Sequence, residues 1–199
     1  MRWDRFFDDL EDQLASEWEA ERAALDTEAE RLRLSRVSLR ERLLCFAADR
    51  ASVTVALVDG ARLHATVAGV GADWFSALEG DGGGAALVPL AAITELAASH
   101  ADLLRSARPA AQGSALAEKM TFGFAMRDLV RRRVAVGVHL HAGRLLHGTV
   151  DRAGADHLDL ALHDAGSARR AAAITGYRIV PYGTIARVQV DATTPVPLG

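Results

Sequence analysis

Seven histidines raise the question of metal binding first. His139 and His141 stand two apart in a run of alternating β-formers, so both point to one face of a strand with the spacing of a chelating pair. A two-residue turn at Ala142-Gly143 would set His147 opposite Val138 and on the other face, leaving two ligands without a third. The histidines are therefore expected to face solvent or contact an anionic ligand, with no metal. The single cysteine, Cys45, lies among Leu43, Leu44 and Phe46, which predicts a buried thiol and excludes a disulfide within the chain. The stretch from Glu79 to Gly84, "EGDGGG", lacks the Lys and Ser/Thr of a phosphate loop and reads as a flexible hairpin loop. Asp156 and Asp159 flank a turn with nothing nearby to raise a carboxyl pKa, and no Ser-His-Asp or Cys-His set is discernible. A non-enzymatic protein without cofactor is the expectation.

The positive feature is basic. Arg127, Arg131, Arg132 and Arg133 close a helical stretch, and Arg144, Arg152, Arg169, Arg170 and Arg178 follow, with His139, His141 and His157 interleaved. Guanidinium forks suit phosphate, and Tyr177 or Tyr182 offers a ring on which a base can stack. The candidate RNA contacts are Arg127, Arg131, Arg132, Arg133, Arg152, Arg169, Arg170 and Tyr182. The plain alternative is that helix C-termini favour cations and surface arginines are ordinary. Net charge is −8 over residues 1–30, +4 over 31–50, −3 over 51–114 and +4 over 115–199, so an acidic head precedes a basic second half.

These side chains must be positioned by a repeated scaffold. From Trp3 to about Leu34 apolar residues recur at spacings of three, four or seven without Gly or Pro, which predicts an amphipathic helix lying on the protein's own core or pairing with another chain. "SLRE" at Ser38 to Glu41 has capping-box spacing and predicts a second helix to about Ala48. The period then changes to two. "SVTVALVDGARLHATV" predicts two strands joined by a two-residue turn at Asp59-Gly60, and "GVGADWFSAL" and "AALVPLAAITEL" predict further strands. At a constant offset of 83, residues 53–73 and 136–156 share eleven identities in 21, including Gly60/Gly143, His64/His147, Gly71/Gly154 and Asp73/Asp156. "VPLAAI" from Val88 returns as "VPYGTI" from Val180 at an offset of 92, so the second copy carries an insertion within "LHDAGSARRAAAITGYRI". The expected organisation is a helical extension at 1–37, repeats at 38–105 and 115–191, a linker at 106–114, and a disordered tail at 192–199.

A short helix followed by "VxVxLxxG…LHxTVxxxGAD" and a "VP…I" strand resembles an Sm-like domain, and the chain is similar to alanine- and arginine-rich actinobacterial proteins with this tandem pattern. The resemblance implies a mostly β fold with α: two tandem Sm-like, SH3-type five-stranded barrels, each preceded by a helix. Ala65 and Gly148 hold the place of the small residue at which the second strand of such a barrel bends. The loop Asn of RNA-binding Sm proteins is Phe75 and Leu158 here, and the Arg-Gly pair of their last loop is missing.

Two functions follow as expectations: a regulator binding single-stranded RNA mainly through the second repeat, or an assembly scaffold that uses barrel edges and recruits a protein through the N-terminal helix. Self-association is expected in either case. No apolar run has the length of a membrane span, and the acidic start "MRWDRFFDDLEDQ" is unlike a signal peptide, so a soluble cytoplasmic protein is expected.

Overall fold

The computed structural model describes residues 2–80, 84–108, 114–166 and 170–190, with side chains from Trp18 onward except at position 20. The expected tail, most of the expected linker and Arg169 lie outside the described residues. The chain forms two compact units, Met1–Ser38 and Leu39–Gly199.

The first unit is helix α1 (Arg2–Ser35). Trp18, Leu25 and Leu32, each seven residues from the next, are all exposed, and Arg33 and Arg31 pair with Glu30 and Glu28 one turn earlier. No helix among the described residues is long and apolar enough to cross a membrane.

The second unit opens with α2 (Leu39–Ala48), followed by β1 (Ser52–Leu57), β2 (Arg62–Val70), β3 (Trp74–Glu79), β4 (Ala85–Pro89) and β5 (Ile93–Ala97). After a short helix α3 (His100–Ser106) the pattern repeats as α4 (Phe122–Arg132), β6 (Ala135–Leu140), β7 (Leu145–Ala153), β8 (His157–Leu162), β9 (Gly176–Pro181) and β10 (Ile185–Val190). Registers repeat residue for residue: Val55 opposite Leu96 recurs as Val138 opposite Val188, and Ala65 opposite Glu79 as Gly148 opposite Leu162. Both repeat helices end in an arginine forced to positive φ, Arg50 at 48° and Arg133 at 54°. The insertion of the second copy falls between β8 and β9. Helix α3 had no clear period in the sequence; Ser99 caps it, and Arg42 of α2 holds it by donating to the Leu103 carbonyl and to Ser106.

The expectation of two five-stranded barrels is overturned. The ten strands form one open antiparallel sheet in the order β5-β1-β2-β3-β4-β10-β6-β7-β8-β9. Closing the first barrel would require β4 to return to β5 of its own half. Instead β4 pairs with β10, Val188 opposite Leu87 and Val190 opposite Ala85, so the backbone groups that closure would have satisfied are satisfied across the repeat boundary.

The expected two-residue turns are also corrected. Only Gly60 (φ 83°) and Gly143 (φ 74°) are left-handed in the two hairpins, and Gly60 N–H and Gly143 N–H donate to the carbonyls of Leu57 and Leu140. Each is a three-residue connection, a turn followed by a glycine bulge. The extra residue shifts the pairing by one, which reverses the face of every side chain. His147 therefore stands opposite Gly137, on the His139 face.

Alternation buries two cores. Leu43, Phe46, Val53, Val55, Val67, Phe75 and Val88 fill the first; Phe122, Met126, Leu129, Val138, Leu158, Leu160 and Val188 fill the second. Trp74, Ala85 and Leu87 belong in sequence to the first half but pack in the second core. Trp74→Ala is expected to destabilise the protein by about 3–5 kcal/mol and to lower hydrogen-exchange protection in α4, in the other half. Residues 39–190 should unfold in one transition; a fall in protection confined to the first half would contradict the shared core.

Candidate assembly seam and basic groove

The junction of the halves is built from three kinds of contact. The first is the β4·β10 ladder. The second is the apolar plug of Trp74, Ala85 and Leu87. The third is a polar latch, in which the loop between β2 and β3 holds the approach to α4. Ala72 N–H and Trp74 Nε1–H both donate to the Met120 carbonyl at 2.9 Å, and Asp73 Oδ1 accepts the first amide of α4, Phe122 N–H, at 2.6 Å. A carboxylate at a helix start satisfies an orphan donor and faces the positive end of the helix dipole. Arg187 of β10 reaches Glu79 of β3 at 3.2 Å, and both side chains are largely buried.

The same loop in the second half has no such occupant among the described residues. Asp156 holds the place of Asp73 and His157 that of Trp74, and their side chains meet each other, His157 Nδ1 to Asp156 Oδ1 at 2.8 Å. That hydrogen bond, more than the accompanying charge attraction, draws the Asp156 carboxyl below its usual range. The Asp156 side chain is 90% exposed. Its carbonyl accepts Tyr182 N–H, as the Asp73 carbonyl accepts Leu90 N–H.

The sheet ends are likewise the counterparts of the seam. β9 corresponds to β4, and β5 to β10. Ile179 and Tyr177 are 72% and 61% exposed, whereas Leu87 and Ala85, their counterparts at offset 92, are fully covered. On β5, Thr94, Glu95 and Ala97 are exposed, and α3 leaves them so.

The predicted basic residues divide. Arg131, Arg133 and Arg152 line one groove of 470 Å³ with Thr149, Val150 and Asp151. An adjoining 580 Å³ groove shares Asp151 and Arg152 and adds Asp159, Tyr177, Arg178 and Ile179. Within this surface Asp128 pairs with both Arg131 and Arg132, and Arg152 lies 4.0 Å from Asp159. Arg127 and Tyr182 belong elsewhere. The Tyr182 ring meets Phe122 edge-on at 5.5 Å, its hydroxyl donates to the Gly154 carbonyl, and burial raises its pKa. Arg170 is exposed and lines neither groove.

Other candidates have local roles. His163 and Thr149 bond at 2.9 Å, His64 meets Thr54, and His139 reaches Gln189 while burial and Arg187 lower its pKa. No cluster of metal-ligating side chains occurs among the described residues. Cys45 is only partly buried; burial, then the nearby Asp49 charge, raises its pKa. The sequence reading missed Trp74, Leu87 and Ile179. The signal was available: period-two alternation in "TGYRIVP" aims Tyr177 and Ile179 to one face of a strand whose counterpart is apolar throughout.

No family model, curated protein or solved structure matches the chain.

Gly71 shows how tightly the seam is made. A Cβ there would collide with Trp74 Nε1 and come within 2.6 Å of the Met120 carbonyl oxygen, whereas at Gly154 its nearest neighbours would be atoms of the His157 ring, on a partly exposed side chain. Gly71→Ala should therefore cost about 1–3 kcal/mol in chemical denaturation, and Gly154→Ala less than about 1. Equal losses would show that the two loops are packed alike.

Proposed function

We propose that the chain is a non-enzymatic assembly module whose copies join head to tail, β9 of one against β5 of the next. The observation that carries this reading is the exposure of Ile179 and Tyr177 at positions whose counterparts are buried in the internal seam. Transferring that seam outward gives the register: Leu96 opposite Ile179, Ala97 opposite Arg178, Ala98 opposite Tyr177. Glu95 then stands diagonally across from Arg178, an opposite-charge pair of the kind that stabilises a ladder. The contact joins unlike surfaces, so it builds a ring where the rotation closes and a filament where it does not. Exposed Trp18, Leu25 and Leu32 on α1 offer an apolar stripe to a protein partner. The repeated unit of a helix and five strands supports kinship with Sm-like proteins, with the two units merged in one sheet.

Sedimentation at about 50 micromolar, within the range of such contacts, should find oligomers of the wild type and monomers of Ile179→Lys, with the thermal transition of the monomer unchanged. A wild type that stays monomeric would overturn the proposal.

A second reading, single-stranded RNA binding, is supported by the convergence of Arg131, Arg133, Arg152 and Arg178 beside Tyr177. Replacing Arg131, Arg133 and Arg152 with Ala should weaken binding of uridine- and adenine-rich oligomers alike. The log–log salt slope should flatten by roughly 0.7 for each phosphate that is no longer neutralised. No binding at low salt would remove this reading.

A further inference from the structure

Resting on the assembly reading, we propose that the loop Gly154–His157 of one copy receives the start of helix α2 from the next copy, with Asp156 accepting Leu39 N–H and His157 donating in place of Trp74. The internal latch supplies the pattern. At offset 83, Asp73, Trp74 and Phe122 correspond to Asp156, His157 and Leu39. Phe122 is 3% exposed beneath its latch, whereas Leu39, first residue of α2, is 41% exposed. The first amide of a helix has no acceptor within the helix, so the α2 start carries a donor that Asp156 is placed to take. By the repeat, the first half carries a strand edge, an apolar residue and a helix start, and the second half a strand edge, apolar residues and a carboxylate, the same sets that the inner seam joins.

One residue makes the outer latch different from the inner. Trp74 donates through its indole N–H, whereas the His157 ring has its Nδ1 on Asp156 and has Nε2 left to donate outward.

The test is sedimentation equilibrium of the full chain, with the thermal transition of each variant checking its fold. Asp156→Ala should weaken association about fivefold, the scale of a missing helix cap. His157→Trp, which restores the residue of the inner latch, should associate at least as tightly as the wild type. Equal affinities for wild type and Asp156→Ala, or weaker association of His157→Trp, would overturn the latch. If Ile179→Lys abolishes assembly while Asp156→Ala leaves it unchanged, the edge contact stands and the latch falls. If the wild type is monomeric, both fall together.

Discussion

Leu87 sits in a core that belongs to the other half of the chain, and this displacement governs the second unit. Burying Leu87, Ala85 and Trp74 there removes from water three side chains that would otherwise line an open sheet face, a contribution of about 1.5–3 kcal/mol for each large one. It also draws β4 onto β10, so the repeats are joined by a ladder, a plug and a latch at once. Each component constrains the others: Gly71 must lack a side chain for Trp74 to reach Met120, and Asp73 can serve Phe122 only while that approach is held. The Arg187–Glu79 pair is shielded by the same closure.

A seam made of unlike surfaces leaves unlike ends. The second half presents what the first half has buried, and the first half presents what the second has buried. This makes Tyr177 and Ile179 the hinge of the functional question, because they lie exposed on the edge strand that the proposed assembly would use and also wall the groove that holds Arg152 and Arg178. Occupation of β9 by β5 would cover that groove wall, so strand pairing and a ligand in the groove compete for the same side chains. The opposed charges of the halves fit this arrangement, since Glu95 lies on the acidic half and Arg178 on the basic one.

Much of the scaffold was legible because it rests on local rules. The helix periods, the change to period two after Arg50, and the phrase repeated from Leu63 and from Leu146 locate α1, α2, the end of α4 and the hairpins within a few residues. What local rules do not carry is partner choice. Nothing in "AALVP" distinguishes a strand that closes its own barrel from one that pairs with another repeat; that depends on Trp74 and Leu87 finding a better-packed home across the junction. The hairpin register was missed for a related reason. Asp59-Gly60 and Ala142-Gly143 each fit both a two-residue and a three-residue turn, and the choice at the second reverses the face of His147. For the site, the arginines were visible as a composition, but only the folded arrangement gathers Arg131, Arg133 and Arg152 in the grooves and leaves Arg127 and Arg170 outside them. The latch was visible as Asp73 and Asp156, while their different employment depends on a helix arriving at one and not at the other.

The central claim is that the internal seam is repeated between copies in the same register. Its most direct measurement is disulfide trapping in a Cys45→Ser background, with Leu96→Cys and Ile179→Cys introduced together and singly. The account predicts that under mild oxidation the doubly substituted protein forms a ladder of covalent multimers, while neither single variant forms more than traces of dimer. Efficient dimers from Ile179→Cys alone would place β9 against β9 and contradict head-to-tail assembly, and an absence of covalent multimers from the double variant would contradict it as well.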